Sequence, residues 1–169
     1  MTPEAEEEFS QFVGARYDRL GRFAYLMCGD WHMAEDAVQR ALTKLYLIWT
    51  KKAIRQPDAY VRKMIVNALN DERRLGWFRR ESVTDVLPEP PVFDPTQLRA
   101  DQVTVRDALA RLPIRQRTAV ILRHWEDLSI DQTADIMGCT KGTVKSATAR
   151  GLDNLRVLLS ETAPGEVTA

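Results

Sequence analysis

Histidine and cysteine are scarce in this chain, with two of each among 169 residues. His32 and His124 stand far apart, as do Cys28 and Cys139, so no metal-type Cys/His spacing exists. No glycine-rich phosphate loop follows a strand pattern, and no cluster of His, Cys and carboxylates collects. That removes the residues a catalytic centre, metal or cofactor would need, and the expectation is a non-enzyme without cofactor. The cysteines read as small reduced residues of a core or turn in a cytoplasmic protein, and His124, beside Trp125, reads as a packing residue. No apolar run approaches bilayer length, and the acidic start Glu4-Ala5-Glu6-Glu7-Glu8 is unlike a signal peptide, so no membrane partner is expected. Net charge is also missing: 24 Lys/Arg balance 24 Asp/Glu.

The charge that is present is unevenly spread. Residues 51–80 carry nine Lys/Arg against three Asp/Glu, and residues 141–160 carry four against one. Between them, residues 81–113 carry six acidic against three basic side chains. Because local field rather than total charge attracts phosphates, two basic patches around an acidic connector suit two contacts with a polyanion. Solvated helix faces would explain the same pattern equally well.

Hydrophobic residues at 44% are enough for real cores, and only eight glycines leave long helix-compatible runs of Ala, Leu, Arg and Glu. Four of the eight prolines fall within Ser82–Pro95, which breaks any helical pattern and reads as a linker. The expected fold is all-α: a domain over 1–80, a Pro-rich linker over 81–96, a second domain over 97–160 and a frayed tail over 161–169. In the first domain, Phe9, Phe12, Val13, Leu20, Phe23, Ala24 and Met27 recur at helical spacing up to Gly29-Asp30. A second helix, from about Met33 to Trp49, turns Ala34, Ala37, Val38, Ala41 and Leu45 inward and Glu35, Asp36, Gln39, Arg40 and Thr43 outward. Asp58 is placed to cap a third, from Ala59 to about Leu75, buried through Val61, Met64, Ile65, Ala68 and Leu69. Its polar face carries Lys63, Asn67, Asn70 and Arg74 at i, i+4, i+7 and i+11. Amides pair with base edges and cations with phosphates, so this face suits nucleic acid, with plain solvation as the alternative.

The second domain opens with a helix over about Gln97–Leu112 and another after Pro113. A helix-turn-helix pattern follows. Ser129 is a good N-cap, Ile130, Thr133, Ala134, Ile136 and Met137 give a short apolar face, and Gly138 is the stop. Thr140 then caps a helix opening Lys141-Gly142-Thr143-Val144-Lys145, continuing to about Leu159. Backbone N–H groups, small polar residues and lysines at one helix start suit a phosphate-lined major groove.

On these residues the chain resembles the extracytoplasmic-function (ECF) sigma factors of bacteria, more closely an actinobacterial branch labelled the SigE family. Ala34-Glu35-Asp36-Ala37-Val38-Gln39-Arg40-Ala41-Leu42 resembles the part of region two that docks on the polymerase beta-prime clamp. Ala59-Tyr60-Val61-Arg62-Lys63-Met64-Ile65-Val66-Asn67 resembles the helix that reads and melts the minus-ten element. Leu112-Pro113-Ile114-Arg115-Gln116-Arg117 and Gly142-Thr143-Val144-Lys145-Ser146 resemble region four, which reads the minus-thirty-five element. The resemblance implies core RNA polymerase (beta-prime clamp and beta flap) and promoter DNA, duplex and single-stranded, as partners, with an anti-sigma factor possible. It implies polymerase binding by Glu35, Asp36, Gln39 and Arg40. It implies DNA binding by Tyr60, Lys63, Asn67, Asn70, Arg73 and Arg74, and by Thr140, Lys141, Thr143, Lys145, Ser146 and Arg150. The loop Thr50–Asp58 would cup a flipped base, with Tyr60 or Trp49 supplying an aromatic surface, although Trp49 also reads as core. Arg115 and Arg117 either grip phosphate or pair with Glu126 or Asp127. One departure stands out: Ala147 occupies a position where many members carry arginine, so promoter preference does not carry over.

A different regulator, a helix-turn-helix protein with a helical sensor domain, is the alternative function. The first domain discriminates, since a sensor needs a ligand pocket. The promoter, the regulon and the inducing signal are not written in the sequence.

Overall fold

A computed structural model describes residues 1–51, 53–79 and 100–162; the side chains of 72–79, 100–103 and 162 lie outside that description. The described residues form seven α-helices and one π-helical turn, without a strand. The chain divides into two compact units, Met1–Asp94 and Pro95–Ala169. The expected linker over 81–96, the tail beyond 162, and the side chains of Arg73 and Arg74 lie outside the described residues.

Unit 1 is built on α1 (Pro3–Cys28), α2 (Trp31–Ile48) and α3 (Pro57–Arg79). Helix α1 starts where Thr2 accepts a hydrogen bond from the Ala5 N–H, with Pro3 in the first turn. It stops at Gly29, whose left-handed backbone (φ 72°) lets its N–H reach the Tyr25 carbonyl. Asp30 then caps α2 through the Met33 N–H, two residues earlier than the hydrophobic pattern suggests. Trp31 belongs to that first turn and stacks on Tyr25, ring centroids 3.6 Å apart. Leu20, Phe23, Met27, Val38, Leu45, Val61, Ile65 and Leu69 fill the core, each essentially without solvent contact. Burial of side chains this size contributes about 1.5–3 kcal/mol apiece before ordering entropy is subtracted. Trp49 is half-buried and packs edge-on against Phe9 and at a tilt against Phe12, so it belongs to this core's rim. Asp58 lies inside α3, one residue after its start, and its carboxylate engages Arg16 of α1 at 2.5 Å. It is thus a bridge between two helices, where a cap was expected.

Unit 2 contains α4 (Ala100–Arg111), α5 (Ile114–Val120) running into a π-helical turn (Ile121–Trp125), α6 (Ile130–Met137) and α7 (Lys141–Thr162). Pro113 sets up α5, and the Arg117 guanidinium donates to the carbonyls of Ala110 and Leu112, satisfying the C-terminal end of α4. The π turn widens the helix just where Ile121 and Leu122 are buried. It leaves His124 and Trp125 exposed (Trp125 at 41%), which overturns the reading of His124 as a packing residue. Asp127 then takes a left-handed conformation (φ 54°), tolerable for aspartate, and Leu128 returns to the core. The Arg123 guanidinium donates to the Leu128 carbonyl and the Leu128 N–H to the Leu122 carbonyl, tying this turn down.

The helix-turn-helix forms as its sequence implies. Ser129 and Gln132 make a reciprocal capping box, Gly138 (φ 63°) ends α6, and Thr140 caps α7 through the Thr143 N–H. Thr133, Ala134 and Ile136 are buried with Val144 and Ala147, which fixes α6 against α7.

Candidate polymerase and promoter interfaces

The outer face of α2 is ordered by short-range contacts. Asp36 and Arg40 form an i,i+4 ion pair at 3.0 Å, and the Gln39 amide donates to the Tyr17 hydroxyl at 3.0 Å. Asp36, Gln39 and Arg40 are exposed side by side, whereas Glu35 is half-buried at the edge of the face. Exposed charge pairs of this kind contribute little to stability, so the face is cheap to re-pair with a partner. Two further residues extend it: Leu47 is 59% exposed and Tyr46 38% exposed. Their signal was available, since Leu47 is an apolar residue one turn beyond Thr43 on the polar side of the helix.

On α3, Asn67 and Asn70 are exposed, and Tyr60 and Lys63 are half-buried along the same side. The amides therefore present donors and acceptors to solvent while the tyrosine ring and lysine stem lie against the unit's surface. Arg62, absent from the expected set, is buried at 6% exposure.

In unit 2 the start of α7 carries the expected groups in two different roles. Thr140 and Thr143 share a hydroxyl contact at 3.0 Å, and Ser146 donates to the Thr143 carbonyl at 3.2 Å, so the hydroxyls organise the helix start. Lys145 and Arg150 are exposed on α7. Lys141 is exposed too, but its ammonium meets Asp131 of α6 at 2.7 Å. That hydrogen bond and the carboxylate's charge raise the Lys141 pKa above its ordinary 10.5. Ala147 is buried.

Residues 102–155 match the family model described as sigma-70, region 4, which takes in α6 and most of α7. The RNA polymerase sigma-E factor of Streptomyces coelicolor is 39% identical over 154 residues, covering 88% of this chain and 84% of that protein. The ECF RNA polymerase sigma factor SigM of Mycobacterium tuberculosis is 31% identical over 153 residues, 89% of this chain and 76% of the relative. The chain belongs to the ECF family of RNA polymerase sigma factors. These relatives span both units, which sets aside the sensor-domain regulator. The fold agrees: the sigma factor RpoE of Bartonella quintana, solved with the anti-sigma factor NepR, superposes with a TM-score of 0.77 at 26% identity. That match covers 91% of this chain and 98% of RpoE. As a sigma factor the chain is a regulator of transcription, and α6–α7 form the helix-turn-helix within its DNA-binding region 4. Among the described residues no helix is long and apolar enough to cross a membrane.

Proposed function

We propose that this sigma factor joins core RNA polymerase through the outer face of α2 and directs initiation at promoters with minus-ten and minus-thirty-five elements. Asp36, Gln39 and Arg40 would exchange their internal pairings for groups on the beta-prime clamp, Glu35 would border the contact, and Leu47 with Tyr46 would supply its apolar part. Tyr60, Lys63, Asn67 and Asn70 would hold the non-template strand of the minus-ten element, with Arg73 and Arg74 adding phosphate contacts. Aromatic stacking and amide hydrogen bonds suit bases that have left the duplex.

Unit 2 would set the start of α7 into the major groove of the minus-thirty-five element. The free backbone N–H groups there, with Lys141, Lys145 and Arg150, favour phosphate, while Thr140, Thr143 and Ser146 offer hydroxyls. The beta flap would hold this unit on the polymerase. Domains over 1–80 and 97–160, covalently joined, would engage two promoter boxes at once, each contact raising the effective concentration of the other. The protein would have no catalysis of its own and would work in the cytoplasm, where an anti-sigma factor could cover the same faces.

The observation that carries this reading is the exposed Asn67–Asn70 amide face on the very unit whose α2 exposes a separate face of polar and apolar side chains. Run-off transcription with purified core enzyme on a genomic library is the test. Specific transcripts dependent on the chain are expected. Failure to associate with core polymerase at low salt would overturn the reading, and duplex binding without polymerase dependence would restore the simple helix-turn-helix regulator.

A further inference from the structure

Helix α7 turns Val144, Ala147 and Gly151 into unit 2, where all three are buried. At about 3.6 residues per turn, the ridge directly opposite carries Gly142, Ser146 and Ala149, each exposed. Lys145 stands on one flank of that ridge and Arg150 on the other, both exposed. Nothing inside the described part of unit 2 requires the glycine. Its backbone is ordinary helix, since the left-handed glycines among the described residues are Gly29 and Gly138. A Cβ added to it would meet nothing closer than the Thr140 Oγ1, at 3.9 Å. Gly151 of the same helix is different, because a Cβ there would collide with Val120. Glycine also weakens a helix relative to alanine, as its backbone loses more freedom on folding. The first turn of α7 thus forgoes stability and keeps an open space above its backbone.

We propose that Gly142 is a positioning residue for duplex DNA, its missing side chain letting the first turn of α7 close on the DNA backbone. This role rests on the placement of α7 in the major groove proposed above. Region 4 already accounts for DNA as the ligand, and the clearance at Gly142 sets how deeply the helix sits in it. A methyl group at this position would hold the helix off by about 1.5 Å, the length of a carbon–carbon bond. A hydrogen bond from Lys145 or Arg150 to phosphate, lengthened by that much, passes beyond bonding distance. Ser146 and Ala149 are small as well, so no larger side chain on the ridge along these two turns already keeps the DNA away.

Holoenzyme made with the full chain is titrated with a promoter duplex recovered by the run-off transcription above, under conditions that hold the complex closed. Gly142→Ala is expected to bind about ten-fold more weakly, as loss of one charge-assisted contact implies, and Gly142→Leu more weakly still. The urea midpoint of unit 2 should stay level or rise in Gly142→Ala, and polymerase association should not change. Gly14→Ala makes the same substitution on an exposed part of α1 with nothing within 4 Å, and should leave duplex affinity unchanged. Lys145→Gln and Arg150→Gln test the placement itself. If they weaken binding while Gly142→Ala binds like the parent, α7 lies in the groove and the role of Gly142 is overturned. If neither weakens binding, or no promoter is recovered, the placement fails and the role falls with it. A lowered midpoint in Gly142→Ala would also overturn the proposal, because the fold itself would then require the glycine.

Discussion

Gly151 of α7 lies so close to Val120 of α5 that a Cβ added to it would stand 2.6 Å from the Val120 Cγ2. The same atom would be 3.1 Å from the Gln116 carbonyl oxygen, which is backbone and cannot swing aside. One turn further along α7, Asn154 donates to the Gln116 side chain at 2.8 Å across the same seam. The closeness of the two helices therefore depends on a missing side chain.

Gly151→Ala should destabilise unit 2. The helix gains about 1 kcal/mol from replacing glycine, but overpacking a tight contact costs about 1–3 kcal/mol. The net effect expected is a loss of up to about 2 kcal/mol, read as a lowered urea midpoint for unit 2 and weaker promoter binding, with polymerase association retained. An unchanged or raised midpoint would mean that α5 and α7 can part without cost.

Asp131→Asn should strengthen duplex binding. In the free protein Lys141 is engaged by Asp131, so a DNA phosphate must displace a carboxylate that also repels it. With the charge removed, one more phosphate contact becomes available, and the salt dependence should steepen by about 0.9 in log–log slope. Gel-shift titrations over a range of salt concentrations check this; identical slopes would remove Lys141 from the DNA contacts. The pH dependence has a definite sign. The folded-state pKa of Lys141 lies above its ordinary value, so the pair's small contribution is complete below about pH 10.5. It is lost only as pH rises through the raised value, and acidification toward pH 7 leaves Lys141 charged.

Ser129→Ala removes one half of the capping box and leaves the Gln132 N–H without its 3.1 Å partner. A cost of about 1 kcal/mol is expected. Helix α6 is only eight residues long, so the loss should appear as faster amide exchange along it as well as in the global midpoint. Protection factors identical to those of the parent would contradict the role of the cap.

Asp36→Ala and Asn67→Ala should separate two activities. Both side chains are exposed, so neither change should shift stability by more than about 0.5 kcal/mol. Asp36→Ala, and more strongly Leu47→Asp, should weaken association with core polymerase. Asn67→Ala should spare that association and reduce promoter opening about ten-fold, the loss of an amide–base contact worth about 1–3 kcal/mol. Permanganate reactivity of the melted region and polymerase pull-down give the two readouts. Equal loss of both activities in either variant would contradict the division of faces.

The helix-turn-helix was legible because its signals are local. Ser129, Gly138 and Thr140 act on backbone groups within four residues of themselves, and the structure places all three at helix boundaries. The exposed amides of α3 followed from periodicity alone. Other roles are set by contacts that the local pattern does not show. Asp58 reads as a cap but is drawn to Arg16, 42 residues away. Arg117, left open between phosphate and a carboxylate, also donates to the carbonyls that end α4, a contact its local sequence does not announce. Ala147, where the sequence offers no side chain for reading bases, is buried. His124 reads as packed beside Trp125, but the π turn rotates both outward, and nothing in the local pattern of Ile121–Trp125 announces that extra residue.

By itself the sequence determined an all-helical chain, the helix boundaries to within a few residues, and the surface placement of amides and cations. Those properties follow from repeating apolar spacing and from caps that act over a single turn. Only the tertiary structure decided which charges remain available to partners. It joined Arg16 to Asp58 and Lys141 to Asp131. The reason is physical: a charge's partner is set by distance in space, and no periodicity along one helix encodes the approach of another.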